Sequence, residues 1–191
     1  MSIIHALKVG QVQYILSIHE PRPRAALGSI LGDIWRLTPA DQGAEPWLAT
    51  PSDEGYATFS PDGLWVAYAS DDSGRPEIYV RAYSGSGGRH PVSTEGGGWP
   101  RWSGGGREIF FLREGSLWSA AVKTAPEFAS DPPRKLFDVP YEILAEAFYE
   151  AFPDGQRFVM IEKDPFELRP GELVAVPGWV EEMKARVAAA K

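Results

Sequence analysis

The sequence contains no cysteine, no asparagine and only three histidines. Without cysteine there is no disulfide, no thiolate nucleophile and no cysteine-ligated zinc. The histidines, His5, His19 and His90, form no H-x-H or H-E-x-x-H pattern, so the usual histidine zinc signatures are missing as well. Positive charge is also scarce. Nineteen Lys and Arg against 26 Asp and Glu leave a net charge of −7, and no basic cluster offers the face that counterion release from a nucleic acid requires. No apolar run approaches the roughly 18 residues of a membrane span. The opening MSIIHALKVG lacks the basic start and long apolar core of a secretion signal. The expectation from these absences is a cytoplasmic chain that does not bind nucleic acid.

What the sequence does contain is turn residues and aromatics: 20 Gly, 17 Pro and 12% Phe, Trp and Tyr, in a chain of 191 residues that is 43% hydrophobic. That mixture favours many short strands around one core over long helices. The stretch FSPDGLWVAYASDDSGRPEIYV, residues 59–80, reads as strand, Pro-Asp-Gly turn, strand, polar turn, strand. It returns. YATFSPDGLWVAY at Tyr56 lies over WPRWSGGGREIFF at Trp99 with a shift of 43 residues, and FYEAFPDGQRFVM at Phe148 restores the Pro-Asp-Gly turn. The next strand recurs as EIYV, SLWSAAV and ELVAV, and a weaker first copy runs through YILSI and DIWRL.

Four antiparallel strands repeated at about 40–45 residues are the pattern of radially stacked propeller blades. A β-sandwich also has turns at short intervals, but gives no reason for the same turn to return at one fixed spacing. The fold class expected is therefore all-β: a single domain over 1–191 forming a partial β-propeller of about three to four four-stranded blades, with units at approximately 11–52, 54–94, 97–139 and 147–176. A short C-terminal helix is expected over 179–190, where Trp179, Val180, Met183 and Val187 share one face.

These motifs carry a resemblance. FSPDGLWVAY, SGRPEIYVR, VSTEGGGWPRWS and GREIFFL, in that order, resemble the SPDG repeats of TolB-like bacterial β-propellers, in particular the C-terminal propeller region of some bacterial serine/threonine protein kinases. The resemblance implies a scaffold for binding, protein contacts or sensing. It brings no kinase chemistry, since the HRD and DFG motifs are absent. Three departures stand out. Gly104-Gly105-Gly106 replaces Pro-Asp-Gly and suggests a looser turn, Phe152 stands where the repeat has Ser, and the insert Pro21–Leu31 lengthens the first unit. Closed propellers take about four to eight blades, so a half-ring that self-associates into a homo-oligomer is expected, or else a fragment of a larger sensory or kinase-linked protein.

The chemistry is thin. No G-x-S-x-G elbow exists. His19 and Glu20 at the mouth of the insert, with Glu150, are the weak catalytic candidates. Trp99, Arg101 and Glu150 are expected to line the central opening. No metal site is assigned; Asp72 and Glu150 are the weak candidates for calcium, the one cofactor the carboxylates suggest. The function expected is a non-catalytic binding module taking a protein partner or small ligand at the propeller opening. The alternative is a calcium-dependent propeller hydrolase of lactones or esters.

Overall fold

The computed structural model describes residues 7–9, 13–19, 32–38, 43–139 and 149–160. All of them belong to the first of two compact units, Met1–Ile161. The proposed helix over 179–190 and the insert Pro21–Leu31 lie outside the described residues, as does Glu20.

All regular structure among the described residues is β, in antiparallel meanders whose strand order follows the chain. The first sheet joins β1 (Leu7–Val9), β2 (Gln13–His19), β3 (Gly32–Thr38) and β4 (Gly43–Leu48). Its first strand lies ahead of residue 11, where the sequence reading began the first unit. The second joins β5 (Glu54–Phe59), β6 (Trp65–Ser70), β7 (Glu77–Ala82) and β8 (Arg89–Pro91). The third runs β9 (Gly98–Trp102), β10 (Glu108–Arg113) and β11 (Ser116–Lys123), and both β12 (Ala129–Ser130) and β13 (Arg134–Asp138) pair with the outer side of β11. Pro132 and Pro133 interrupt that outer strand, because neither can donate to a ladder. A hairpin of β14 (Tyr149–Ala151) and β15 (Phe158–Met160) follows.

Each sheet packs face to face on the next, with β5 against β2 and β3, β9 against β5 and β6, and β14 against β9. The middle strands are therefore apolar on both faces, and period 2 divides their side chains between two neighbours. Along β6, Val66 and Tyr68 join Ile34, Ala57 and Phe59 on the side of the first sheet. Ala67 and Ala69 turn the other way, to Ile109, Phe111 and Trp102 of the third. Strand β10 repeats the division, since Ile109 and Phe111 face the second sheet while Phe110 and Leu112 meet Leu117 and Tyr149. A three-stranded meander that cannot bury both faces alone is thus sandwiched between two copies of itself. Trp102 is buried, whereas Trp35, Trp65 and Trp118 are half-buried at the flanks of these layers.

The repeated turns are equivalent. Gly63, Gly106 and Gly155 have φ of 73°, 66° and 67°, and each donates its N–H to the residue three before it, at 2.8, 2.9 and 2.8 Å. The Gly104-Gly105-Gly106 turn is not looser than the others. A Cβ on Gly104 would lie 2.6 Å from the Pro153 backbone of the neighbouring turn, so glycine here permits close contact between successive turns. At Phe152 the serine hydroxyl is missing. Ser60 Oγ and Ser103 Oγ accept the N–H of Trp65 and Glu108. In the hairpin, Asp154 accepts the N–H of Gln156 at 3.0 Å, as Asp62 accepts that of Leu64, and adds a pair with Arg157, whose guanidinium lies 4.5 Å from the Phe152 ring centre.

Candidate ligand-binding cleft

In an antiparallel blade the start of the first strand, the end of the second and the turn into the third lie at the same end. For the second and third sheets that end holds a cleft of about 620 Å³, within the range usual for small-molecule sites. Its walls come from the start of β5, the β6–β7 turn, the crossing from β8 to β9, and the β10–β11 turn. Glu77 fixes the crossing. Its buried carboxylate accepts from Ser93 Oγ, the Gly96 N–H and Arg75 Nε. Gly97 lets the crossing segment come close, because a Cβ there would sit 2.9 Å from Ile78.

Tyr56 and Trp99 form the cleft's aromatic wall. Both follow a glycine at the start of an innermost strand, and in both strands one extra residue interrupts the pairing: Gly55 and Thr58 oppose Ala69 and Ala67, and Gly98 and Arg101 oppose Leu112 and Phe110. Such a bulge re-aims the side chain it carries. The two residues take φ of 55° and 53°, and their ring centres lie 4.8 Å apart with the planes tilted by 37°. Trp99 is held further by its carbonyl, which accepts the Tyr149 hydroxyl at 2.7 Å. Burial pushes the Tyr149 phenol well above its ordinary pKa, against the nearby Arg101, so it stays a donor.

Glu114 and Gly115 make the β10–β11 turn, with φ of 47° and 69°, the type I′ geometry in which Asn-Gly is favoured and glutamate is strained. Among the described residues, Tyr56, Trp99 and Glu114 are the non-glycine positions with positive φ, and all three border this cleft. The charged rim adds Asp71, whose Oδ1 accepts the Asp53 N–H at 2.8 Å. Arg75 is paired with Glu77, and Arg113 with Glu95 at 2.7 Å while it stacks 4.5 Å over Trp118.

The residues singled out from the sequence fall into separate places. Trp99 borders the cleft. Arg101 and Glu150 occupy equivalent positions on neighbouring innermost strands and pair across the blades at 3.2 Å, with Glu150 71% exposed. Asp72 lies in the β6–β7 turn, bound to Arg89 and to Ser52 Oγ, and Arg89 holds its carboxyl below the usual carboxylate range. Asp72 and Glu150, the two calcium candidates, are therefore each engaged by a different arginine in a different sheet. Among the described residues no group of three or more His, Asp or Glu is placed to hold a metal ion. The His19 backbone pairs with Gly32, and its partner candidate Glu20 is outside the described residues. The sequence reading missed Tyr56 and Glu114. The 43-residue shift that lays Ser60 on Ser103 also lays Tyr56 on Trp99, and that equivalence was the available signal. Glu114 had none, because a Glu-Gly pair does not announce a type I′ turn.

Comparison with solved structures places this architecture. TolB from Acinetobacter baumannii superposes with a TM-score of 0.54 at 16% identity, over 80% of this chain and 35% of that one. The fold is a TolB-like β-propeller. The chain thus spans about a third of that TolB's length. A TolB candidate from Agrobacterium tumefaciens matches at 0.48 and 16% identity, over 65% of this chain and 45% of the other. A GH74 xyloglucanase from Xanthomonas campestris matches at 0.48 and 16% identity, over 68% and 22%. No protein-family model and no curated protein sequence matches the chain. Among the described residues of this TolB-like propeller, no helix is long and apolar enough to cross a membrane.

Proposed function

We propose that this propeller is a non-catalytic binding module whose ligand enters the cleft between the second and third sheets. One observation carries the reading: the three non-glycine residues held in left-handed backbone among the described residues all border that one cleft. Left-handed backbone costs a bulky residue about 1–3 kcal/mol, and such strain concentrates where function keeps it. A hydrolase would need a nucleophile or metal and a base in contact, and the two carboxylates the sequence offered for a metal, Asp72 and Glu150, are engaged by Arg89 and Arg101. The same reading includes contact with other protein, first of all a second copy of this chain completing the ring.

Gly98 provides the test. It lines the cleft, and a Cβ there would meet nothing within 4 Å, so Gly98→Leu starts its side chain in open space, and circular dichroism checks that the variant is folded. Titration with a diverse small-molecule library, read by intrinsic tryptophan fluorescence and by thermal shift, is expected to give saturable hits that Gly98→Leu abolishes. Hits that survive in Gly98→Leu, or a library that moves neither protein, would overturn the cleft as the binding site.

A further inference from the structure

We infer that the ligand of this cleft is an organic cation carrying an ammonium group; the inference rests on the binding reading above. Besides Asp53, whose carboxylate accepts the Gly32 N–H, the lining carries Asp71, Glu95 and Glu114 with two guanidiniums, Arg75 and Arg113. Neither guanidinium offers its charge to an incoming anion. Arg113 is neutralised by Glu95 and lies flat on Trp118, and Arg75 is neutralised by buried Glu77. Asp71 and Glu114 meet no cationic side chain among the described residues, so the open part of the cleft is anionic.

Beside that charge stand the half-buried rings of Tyr56 and Trp99. Aromatic faces with nearby carboxylates attract a cation twice, through the ring quadrupole and through the carboxylate field, and partial enclosure strengthens both. Part of the lining is bare backbone. Gly74, Gly96 and Gly98 each leave open space where a side chain would project, so the cleft admits the bulk of a methylated or branched ammonium head. The chain's net charge of −7 draws cations toward the surface before they reach the cleft. A sugar would use the aromatic wall equally well and could donate hydroxyls to the carboxylates, but it carries no positive charge for them to attract. Charge is what separates the two.

The experiment is isothermal titration of the purified chain with choline, benzyltrimethylammonium and putrescine, each paired with a neutral analogue of the same shape, such as 3,3-dimethylbutan-1-ol for choline. The ammonium compounds are expected to bind at least about tenfold tighter than their neutral analogues. Their affinity should fall with added salt and drop roughly fivefold or more in each of Glu114→Gln and Asp71→Asn. Gly98→Leu should abolish it. Two charge variants are used because each keeps the size and hydrogen-bonding shape of the residue it replaces, and circular dichroism confirms that both are folded. Equal binding of neutral analogues, or library hits confined to neutral compounds, overturns the cation and leaves the binding module standing. Silence of the whole library removes both.

Discussion

Glu54 is the most deeply buried carboxylate among the described residues, 1% exposed at the start of β5. Loss of hydration raises its pKa, and the hydrogen bonds from the Thr50 hydroxyl and N–H oppose that rise only in part. Because its folded pKa lies above the unfolded one, its contribution to stability is intact below the unfolded value, near pH 4.5, and is lost as pH climbs through the folded value. Glu54→Gln keeps an acceptor for the Thr50 hydroxyl and removes the charge. The melting temperature of Glu54→Gln relative to the native chain is therefore expected to be highest near pH 7–8 and to decline toward pH 4.5, which differential scanning fluorimetry across that range would read. A difference that grows on acidification would show the carboxylate to be stabilised, not penalised. Glu114 gives a second residue-scale outcome. In its type I′ turn, Glu114→Asn should raise stability by roughly 0.5–1 kcal/mol in urea unfolding, while weakening any ligand that depends on its charge. This trade would explain why glutamate occupies a position better suited to asparagine, in a chain that has no asparagine.

At the scale of elements, the turns teach more than the strands. Pro61-Asp62-Gly63 and Pro153-Asp154-Gly155 were legible because proline and glycine declare their dihedrals in the sequence. Gly104-Gly105-Gly106 was misread for the same reason: glycine looks like freedom, and only the neighbouring turn reveals that Gly104 is a close approach. The three positions differ in what surrounds them. A Cβ on Gly104 would strike Pro153 backbone at 2.6 Å, whereas one on Gly105 would meet only the tip of Arg107 at 3.7 Å. Gly104→Ala should then destabilise the protein by about 1–3 kcal/mol, as overpacking does, and Gly105→Ala should change stability by less than about 0.5 kcal/mol. Equal effects in chemical denaturation would mean that the turns do not press on one another. The bulges at Tyr56 and Trp99 were invisible for a related reason. A bulge is a relation between two strands, and a single strand's sequence records only the glycine that precedes it.

For the whole molecule, the recurrence at 43 residues specified the architecture because each meander must bury two faces and only copies of itself supply matching ones. Val66 and Tyr68 toward one neighbour, Ala67 and Ala69 toward the other, are that requirement written in one strand. The split outer strand of the third sheet was harder to foresee, since β12 and β13 share one partner on either side of Pro132 and Pro133. The described residues make three full sheets and one hairpin, while closed rings take about four to eight blades. Apolar side chains are exposed beside the hairpin: Val159 is 54% and Phe137 40% exposed, with Phe137 meeting Phe158 edge-on at 5.8 Å. Exposed apolar residues of this kind favour association. If a second copy covers them, light scattering on the purified chain should give twice the chain mass. A double substitution Phe137→Ser with Val159→Lys should shift that mass to the monomer without loss of β circular dichroism. A monodisperse monomer for the unsubstituted chain would overturn self-association. A dimer untouched by the double substitution would move the contact to another face and leave Phe137 and Val159 without a role in it.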